Sequence, residues 1–440
     1  MDEISQDNQG VESRVAATHA LAQVFERGVT LDEALDRVGA KYRLSDADRR
    51  LVHAICGFTF RNLPAIDTVL RQIMDRKRAP SPKLLHQLLR VGVVQILYMD
   101  VAEHAAVHAT VSAAGSLHLS RQKGLINAVL RSVQRQRDTL VTTTPDALDT
   151  LPEWLRKRWV VSYGESEART LVKAMGQEAP IDLTIKDAHA SLEWAQKLDG
   201  DVIVPGSVRV RQGVGQIASW PGFTEGAWWV QDAAASLPIK VLGDVSQKSV
   251  LDVCAAPGGK TLQLAAAGAR VTALDVSGSR MQRVTGNIMR VMGPDAVTTV
   301  VSDAHHWRTD DRFDVIVLDA PCSSTGTLRR HPEHPWIHSE ISVSKNALTQ
   351  RDLLRRATEL LAQDGKLLYC TCSLEVEEGE NQVEVFLNHY KDFKQITTIA
   401  EDLKPFVKTG KGGFGFRTFP TILADQGGMD GFFFALLQKQ

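Results

Sequence analysis

The sequence predicts an α/β protein of three parts. These are an all-helical region over 1–142, a linker with a small α+β subdomain over 143–225, and a C-terminal doubly wound, Rossmann-like domain over 226–440. Three observations predict it. Apolar residues recur at helical spacing through the first 140 or so positions. A polar stretch with two prolines, "LVTTTPDALDTLPEW" (140–154), then interrupts them. From 249 onward, short β-rich apolar runs alternate with helical segments, the pattern of a mostly parallel sheet.

The helical region opens with "RVAATHALAQVFERG", which stops at Gly28. "SDADRRLVHAICGFTFRNL" begins with Ser45 as its N-cap and Asp48 three positions on. "SPKLLHQLLRVGVVQILYM" and "HAAVHATVSAAGSLHL" continue the pattern, and "KGLINAVLRSVQRQRD" closes it with a basic end. His104 and His108 stand four apart on one helix, as two metal ligands would. No third ligand is evident, so both read as structural residues.

Composition narrows the class. The 440 residues are 43% apolar and 23% charged, as in an ordinary globular protein. Five cysteines (Cys56, Cys254, Cys322, Cys370, Cys372) are odd in number and lack a framework spacing, which fits a reducing compartment. The polar, acidic start "MDEISQDNQG" reads as neither a signal nor a transit peptide. No apolar run reaches the roughly 18 residues of a membrane span. The expectation is a cytoplasmic protein off the membrane, with a monomer as the simplest state.

Net charge is −1, against an indiscriminate polycation. Basic residues nevertheless cluster. Positions 61–90 hold Arg61, Arg71, Arg76, Lys77, Arg78, Lys83 and Arg90 against Asp67 and Asp75. Positions 120–137 hold Arg121, Lys123, Arg131, Arg135 and Arg137 and no acid. Such stripes suit a structured polyanion, and a solvated helix face accounts for them equally well.

The middle segment carries a helix near 165–175 and strand-like runs "IDLTI", "DVIVPG" and "VRVR". Then the βα alternation starts. "SVLDVCAA" leads into a helix from Lys260, and "RVTALDV" into a helix from Ser279. "VTTVVSDA" precedes a broken stretch, and "FDVIVLDAPCSS" a helix near 343–362. "GKLLYCTCS" precedes a helix near 378–390, and "GFFFALLQK" is the last strand.

In "LDVCAAPGGKTLQLAAAG" (251–268) the turn between strand and helix has neither GxGxxG nor a correctly spaced GxxxxGK[ST]. A dinucleotide or nucleoside triphosphate reading is therefore weak. Gly258 and Gly259 still let the backbone approach a ligand at a strand's carboxyl end. The second strand ends in Asp275, 23 positions after Asp252, where a carboxylate accepts hydrogen bonds from ribose hydroxyls. The third ends in Asp303, placed for an adenine edge. Acidic strand ends in series favour a nucleoside without phosphate, and S-adenosylmethionine, cationic at sulfur, fits. Helix capping is the plain alternative for these acids.

The fourth strand ends in "DAPCSSTGTLRRHPEHPW" (319–336) and the fifth in "YCTCS" (369–373). On one edge of a parallel sheet, Asp319, Cys322 and Cys372 should converge beside the cofactor. Strand alternation puts Cys370 and Cys372 on one face. A disulfide between residues that close would be strained. His331, His334 and His338 lie in a Pro-broken loop without CxxC pairs, so no metal is expected.

Taken together, "DVCAAPGGKT", "DAPCSSTGTLRRHP" and "YCTCS" resemble the Sun-type family of RNA cytosine carbon-5 methyltransferases. "HAAV", "GLINAVLR" and the C-terminal "DGFFFALL" extend the resemblance over the whole chain, the first two to a NusB-like RNA-binding domain. The resemblance implies methyl transfer from S-adenosylmethionine to cytosine in 16S ribosomal RNA or a small-subunit assembly intermediate. Carbon 5 of cytosine is a weak nucleophile until a thiolate adds to carbon 6. By resemblance Cys372 is that nucleophile, Cys322 assists product release as a general acid/base, and Asp319 hydrogen-bonds the base near ring nitrogen 3. The reversed assignment, with Cys322 as nucleophile, stays open, and Cys370 reads as packing. The resemblance also implies a cofactor site of Cys254, Ala255, Ala256, Pro257, Gly258, Gly259, Lys260, Asp275, Asp303 and Asp319. Arg329 and Arg330 are candidates for the RNA backbone. The target base must be unstacked to reach the thiol, so looped or single-stranded RNA is expected.

Two departures stand out. Members usually carry an Arg-x-Asn element before the core, where this chain reads "DLTIKD". The Pro-Glu-Asn after the "TCS" motif is replaced by "SLEVEEGENQ", with Asn381 as the candidate asparagine. Transfer RNA or large-subunit RNA as substrate, and a non-catalytic RNA-binding assembly factor, are the alternative readings. The presence of Asp319, Cys322 and Cys372 argues against the last.

Overall fold

The structure is a computed structural model and describes residues 10–74, 79–142, 146–211 and 215–440. Asp75, Arg76, Lys77 and Arg78 of the basic stretch, the acidic N-terminus 1–9 and positions 143–145 of the expected linker lie outside the described residues. The chain divides into two units, Met1–Gly176 with His331–Ser339, and Gln177–Arg330 with Glu340–Gln440.

The first unit is helical. Gly28 at φ 64° ends helix Val11–Arg27, a left-handed conformation suited to glycine. The Thr30 and Ser45 side chains accept from the backbone N–H of Glu33 and Asp48, starting helices Leu31–Tyr42 and Asp46–Arg61. Helix Lys83–Tyr98 is apolar nearly all round and is buried from Leu85 through Leu97 except at His86. Its buried polar groups are paired: Gln95 accepts from Arg14 Nε at 2.9 Å, and Arg90 Nη2 donates to Asp67 Oδ2 at 2.6 Å. Arg90 therefore belongs to the core and not to an exposed basic stripe. His104 and His108 are exposed on helix Glu103–Ser116, where the sequence reading makes them structural. Helix Glu153–Tyr163 is absent from that reading, because it buries only Leu155 and Trp159, a stripe too short to register as a period.

The second unit holds two sheets. A small antiparallel one contains β1 (Ile181–Ile185), β2 (Gly200–Val204), β3 (Ser207–Val210) and β4 (Trp228–Val230), in order β2-β3-β1-β4. The large one contains β5 (Ser249–Val253), β6 (Arg270–Asp275), β7 (Val297–Val301), β8 (Phe313–Asp319) and β9 (Leu361–Thr371). It is completed by β10 (Phe393–Ile396), β11 (Lys408–Thr409), β12 (Phe416–Arg417) and β13 (Phe433–Lys439). The order is β11-β12-β13-β9-β8-β5-β6-β7, with β10 on β13. Strands β5 to β9 are parallel, and β13 runs antiparallel to β9.

Alternation along the strands loads both faces. Val250, Val271, Val317, Leu368, Cys370 and Phe434 pack with Leu237 and Leu264 of helices Ala233–Lys240 and Gly259–Ala266. Leu251, Leu274, Ile316, Leu367, Tyr369 and Phe433 pack with Leu353, Leu354 and Phe386 of helices Glu340–Leu360 and Glu380–His389. That is the doubly wound arrangement the alternation predicts. From β5 the chain builds outward to β7, then returns to place β8 on the other side of β5. The strand order thus reverses between β5 and β8, where a crevice opens at the carboxyl ends. Among the described residues no helix is long and apolar enough to cross a membrane.

Candidate active site

The loop after β5 leaves the sheet in a tight turn. Cys254 takes φ 62°, and Gly258 takes φ 105° with Val284 packed against it. Asp275, at the end of β6, ties the loop down. Its Oδ2 accepts from Ala256 N at 3.1 Å and its Oδ1 from Ser277 N at 2.9 Å. Its side chain is only 1% exposed, and Arg280 Nη2 stands 3.7 Å away. Asp303, just past β7, is half-exposed, and the His305 N–H holds its carboxyl below the usual range. Asp252 is buried under a 2.6 Å bond from the Thr261 hydroxyl, and burial pushes its carboxyl up to about 7. Burial likewise pushes the Cys254 thiol up to about 12, so it is no nucleophile.

Lys260 occupies the first turn of helix Gly259–Ala266, and its ammonium is buried 2.7 Å from Asp319 Oδ2. Burial alone would weaken its hold on its proton. The carboxylate of Asp319 more than offsets that and holds Lys260 charged. Sequence reasoning places Lys260 with the cofactor loop and misses this partner. The strand ends therefore bring Asp252, Asp275 and Asp319 together near Lys260, with Arg280 beside Asp275, and Asp303 stands just past β7. That donor set suits ribose hydroxyls, an adenine edge and a cationic sulfonium, and it would repel a phosphate.

Strands β8 and β9 bring the thiols together. Asp319 ends β8, and Cys372 follows β9 by one residue. The Cys322 and Cys372 sulfurs lie 3.5 Å apart, and the Ser324 hydroxyl is 3.3 Å from Cys372 and 3.8 Å from Cys322. The two thiols are unequal. The hydrogen bond from Cys322 lowers the Cys372 thiol below its ordinary range, and Ser324 adds to it. The same bond, with burial, raises Cys322 well above it. Cys370 is fully buried, 3.7 Å from both Leu318 O and Asp319 Oδ1, and burial raises its thiol.

Backbone and buried charges fix both thiol loops. Gly326 N donates to Cys372 O at 3.0 Å, and a Cβ at Gly326 would meet Gly431 O at 1.9 Å. Glu378 accepts from Ser323 N at 2.9 Å and from the Ser323 hydroxyl at 2.5 Å. Arg417 donates to Ser373 O at 2.8 Å and to Glu375 O at 3.2 Å while paired with Glu380. Ser324, Glu378 and Arg417 are absent from the sequence reading. The acidic run after "TCS" was the available sign of Glu378, and nothing local marks Arg417.

Three other expectations change. Arg329 is fully buried and bonds Asp430, Asp232 and Gly427 O, and Arg330 bonds Asp232 at 2.8 Å and Asp430 at 3.2 Å. Buried acids take up both guanidinium groups: Arg329 is closed off from any RNA backbone, and Arg330, part-exposed, is tied to the same two acids. Asn381 is on the exposed side of its helix, and among the described residues no hydrogen bond links it to the thiols. In "DLTIKD", Asp182 pairs with Arg209 at 2.7 Å and Lys186 donates to Val291 O at 2.6 Å, so both serve internal contacts.

Comparison with known proteins gives a consistent result. The family described as 16S rRNA methyltransferase RsmB/F matches residues 239–438, and the NusB family matches residues 11–135. Ribosomal RNA small subunit methyltransferase B of Sodalis glossinidius is 36% identical, over 86% of this chain and 90% of its own. The protein of that name from Escherichia coli O1:K1 is 34% identical over 97% and 98%. The crystal structure of PH0851 superposes with a TM-score of 0.76 at 25% identity, covering 98% of this chain and 99% of its own. NSun6 from Pyrococcus horikoshii, solved with SFG, has a TM-score of 0.57 at 19% identity over 66% of this chain and shares the fold.

Proposed function

This chain belongs to the 16S rRNA methyltransferase RsmB/F family, and we propose that it methylates carbon 5 of a cytosine through a covalent bond from Cys372 to carbon 6. It is an S-adenosylmethionine-dependent rRNA methyltransferase with a NusB-family helical region. Supporting the cysteine roles is one observation above the rest: two thiols 3.5 Å apart at adjacent strand ends, with the Ser324 hydroxyl nearer the Cys372 sulfur (3.3 Å) than the Cys322 sulfur (3.8 Å).

Cys372, favoured as thiolate, adds to carbon 6 of an unstacked cytosine. Asp319 is the candidate partner near ring nitrogen 3: as the acid it gives nitrogen 3 the proton taken up when the thiolate adds, and as the resulting carboxylate it accepts from that N–H. Lys260 holds the Asp319 carboxylate from the cofactor side. The adduct is an enamine whose electron density sits on carbon 5. When bound, S-adenosylmethionine supplies an electrophilic methyl group to that carbon. With S-adenosylhomocysteine left behind, a base takes the carbon 5 proton, its bonding pair forms the carbon 5–carbon 6 double bond, the carbon 6–sulfur bond breaks, and Cys372 returns as thiolate. Cys322 is the acid/base candidate beside the leaving sulfur: as a thiol it donates to the Cys372 sulfur, and once that proton has passed over, its thiolate can take the carbon 5 proton.

The test is methyl transfer to unmodified 16S RNA by Cys372→Ala and Cys322→Ala proteins, with a search for a denaturant-resistant protein–RNA adduct. Cys372→Ala should be inactive and form no adduct, and Cys322→Ala should accumulate one. The opposite pattern makes Cys322 the nucleophile. RNA binding without methylation by the wild-type protein would restore the assembly-factor reading.

A further inference from the structure

The sequence reading dismisses a metal in 331–338 because the histidines lack CxxC partners. In the structure, three of these side chains come together within the helical unit. His331 Nδ1 lies 3.6 Å and His334 Nε2 3.7 Å from the same oxygen, Glu333 Oε1. Candidate ligand atoms of the three residues all lie within 4.8 Å of one another. Both ring-to-carboxylate distances are too long for an N–H···O hydrogen bond. They are close to the edge of a zinc tetrahedron, about 3.3–3.4 Å for ligands at roughly 2.0–2.1 Å.

A second observation points the same way. Glu333 is wholly buried, and its Oε2 has no hydrogen-bond partner among the described residues. A buried carboxylate oxygen left so is costly. Its other oxygen is oriented by Leu31 N, which donates to Oε1 at 3.1 Å, as an outer group orients a metal ligand. The His331 and His334 rings are stacked, 5.0 Å between centroids and 11° between planes, and each has one nitrogen within 3.7 Å of Glu333 Oε1. His331 is about one-third exposed and gives an ion a way in.

We propose that His331, Glu333 and His334 form a mononuclear site for a divalent transition metal of the zinc type. Two imidazoles and a carboxylate are the ligand types zinc takes, with a fourth position left for water or another donor. His338, edge-on to His334 with centroids 5.6 Å apart, is the candidate donor. The ion would fasten segment His331–Ser339 to the start of helix Leu31–Tyr42. The site uses no group of the proposed reaction.

The test uses tag-free full-length protein carrying Cys322→Ser and Cys372→Ser, because paired thiols are the competing chelator. After chelator stripping it is titrated with zinc, and separately with cobalt(II) followed by absorption. Expected are one zinc equivalent and visible cobalt bands without a near-ultraviolet thiolate-to-cobalt band. Adding Glu333→Gln or His334→Ala should weaken binding at least tenfold, and His104→Ala should not. Absence of binding in the thiol-free protein, or binding unchanged by both added substitutions, overturns the site. If His334→Ala fails to fold by circular dichroism, His331→Asn replaces it, with the same loss expected.

Discussion

Cys322 and Cys372, fifty positions apart in sequence, meet with their sulfurs 3.5 Å apart, and the hydrogen bond between them makes the two chemically unlike. Cys372 takes the thiolate side of the pair and Cys322 the thiol side. Alkylation by iodoacetamide against pH should thus modify Cys372 first, with a midpoint below the ordinary cysteine range. A hydrogen bond to a charged group contributes about 1.5 kcal/mol or more. Cys322→Ala should therefore cut Cys372 alkylation near neutral pH about tenfold and move its midpoint up. Peptide mapping that finds Cys322 modified first would reverse the proposed roles.

The same separation predicts an oxidation product. Diamide accepts two electrons and two protons as two thiols join. Treated protein should lose two of its five free thiols and its methyl transfer together, and dithiothreitol should restore both. Cys322→Ala should keep all four of its thiols under the same dose. Five thiols remaining after treatment of the wild type would mean the sulfurs do not meet in solution.

Lys260 and Asp319 separate two readings of a buried lysine. If Lys260 positions the carboxylate that faces the base, Lys260→Met should lower kcat and leave S-adenosylmethionine affinity within a few-fold. A cofactor ligand would show the opposite split, which calorimetric titration beside single-turnover kinetics resolves. Asp319→Asn keeps the shape and loses the charge, and its kcat should fall on the order of 10²-fold.

How much of this was legible in sequence depends on how far apart the partners stand. Asp275, Asp319 and Cys372 were placed at strand ends by periodicity and chain order alone, because a parallel sheet puts every such end on one edge. The pairing of Lys260 with Asp319 was not legible, since only strand order and register bring positions 59 apart together. Arg329 and Arg330 look like phosphate ligands beside a motif. Their acids, Asp232 and Asp430, are 97 to 101 positions away, and nothing local announces them. The grouping of His331, Glu333 and His334 is hard to read for a related reason: spacing rules weigh CxxC pairs and pass over a carboxylate between two histidines.

Arg417 offers the sharpest separation of stability from catalysis. It sits in β12, buried, its Nε and Nη2 donating to the two Glu380 carboxylate oxygens at 2.7 and 2.6 Å, its Nη1 to Ser373 O, and its Nη2 also to Glu375 O. It therefore ties the residues just after Cys372 to β12, which lies beyond β13 in the sheet. Arg417→Met leaves Glu380 charged and buried, and should cost about 3–5 kcal/mol in urea unfolding. Replacing both residues with methionine removes the stranded charge, so most of that stability should return. The two carbonyls still lack their donor, and the loop carrying the thiolate stays loose. Methyl transfer by the double variant should then remain depressed about tenfold or more, the size of a lost positioning contact. A double variant restored in both stability and kcat would make Arg417 a structural ion pair with no part in holding Cys372.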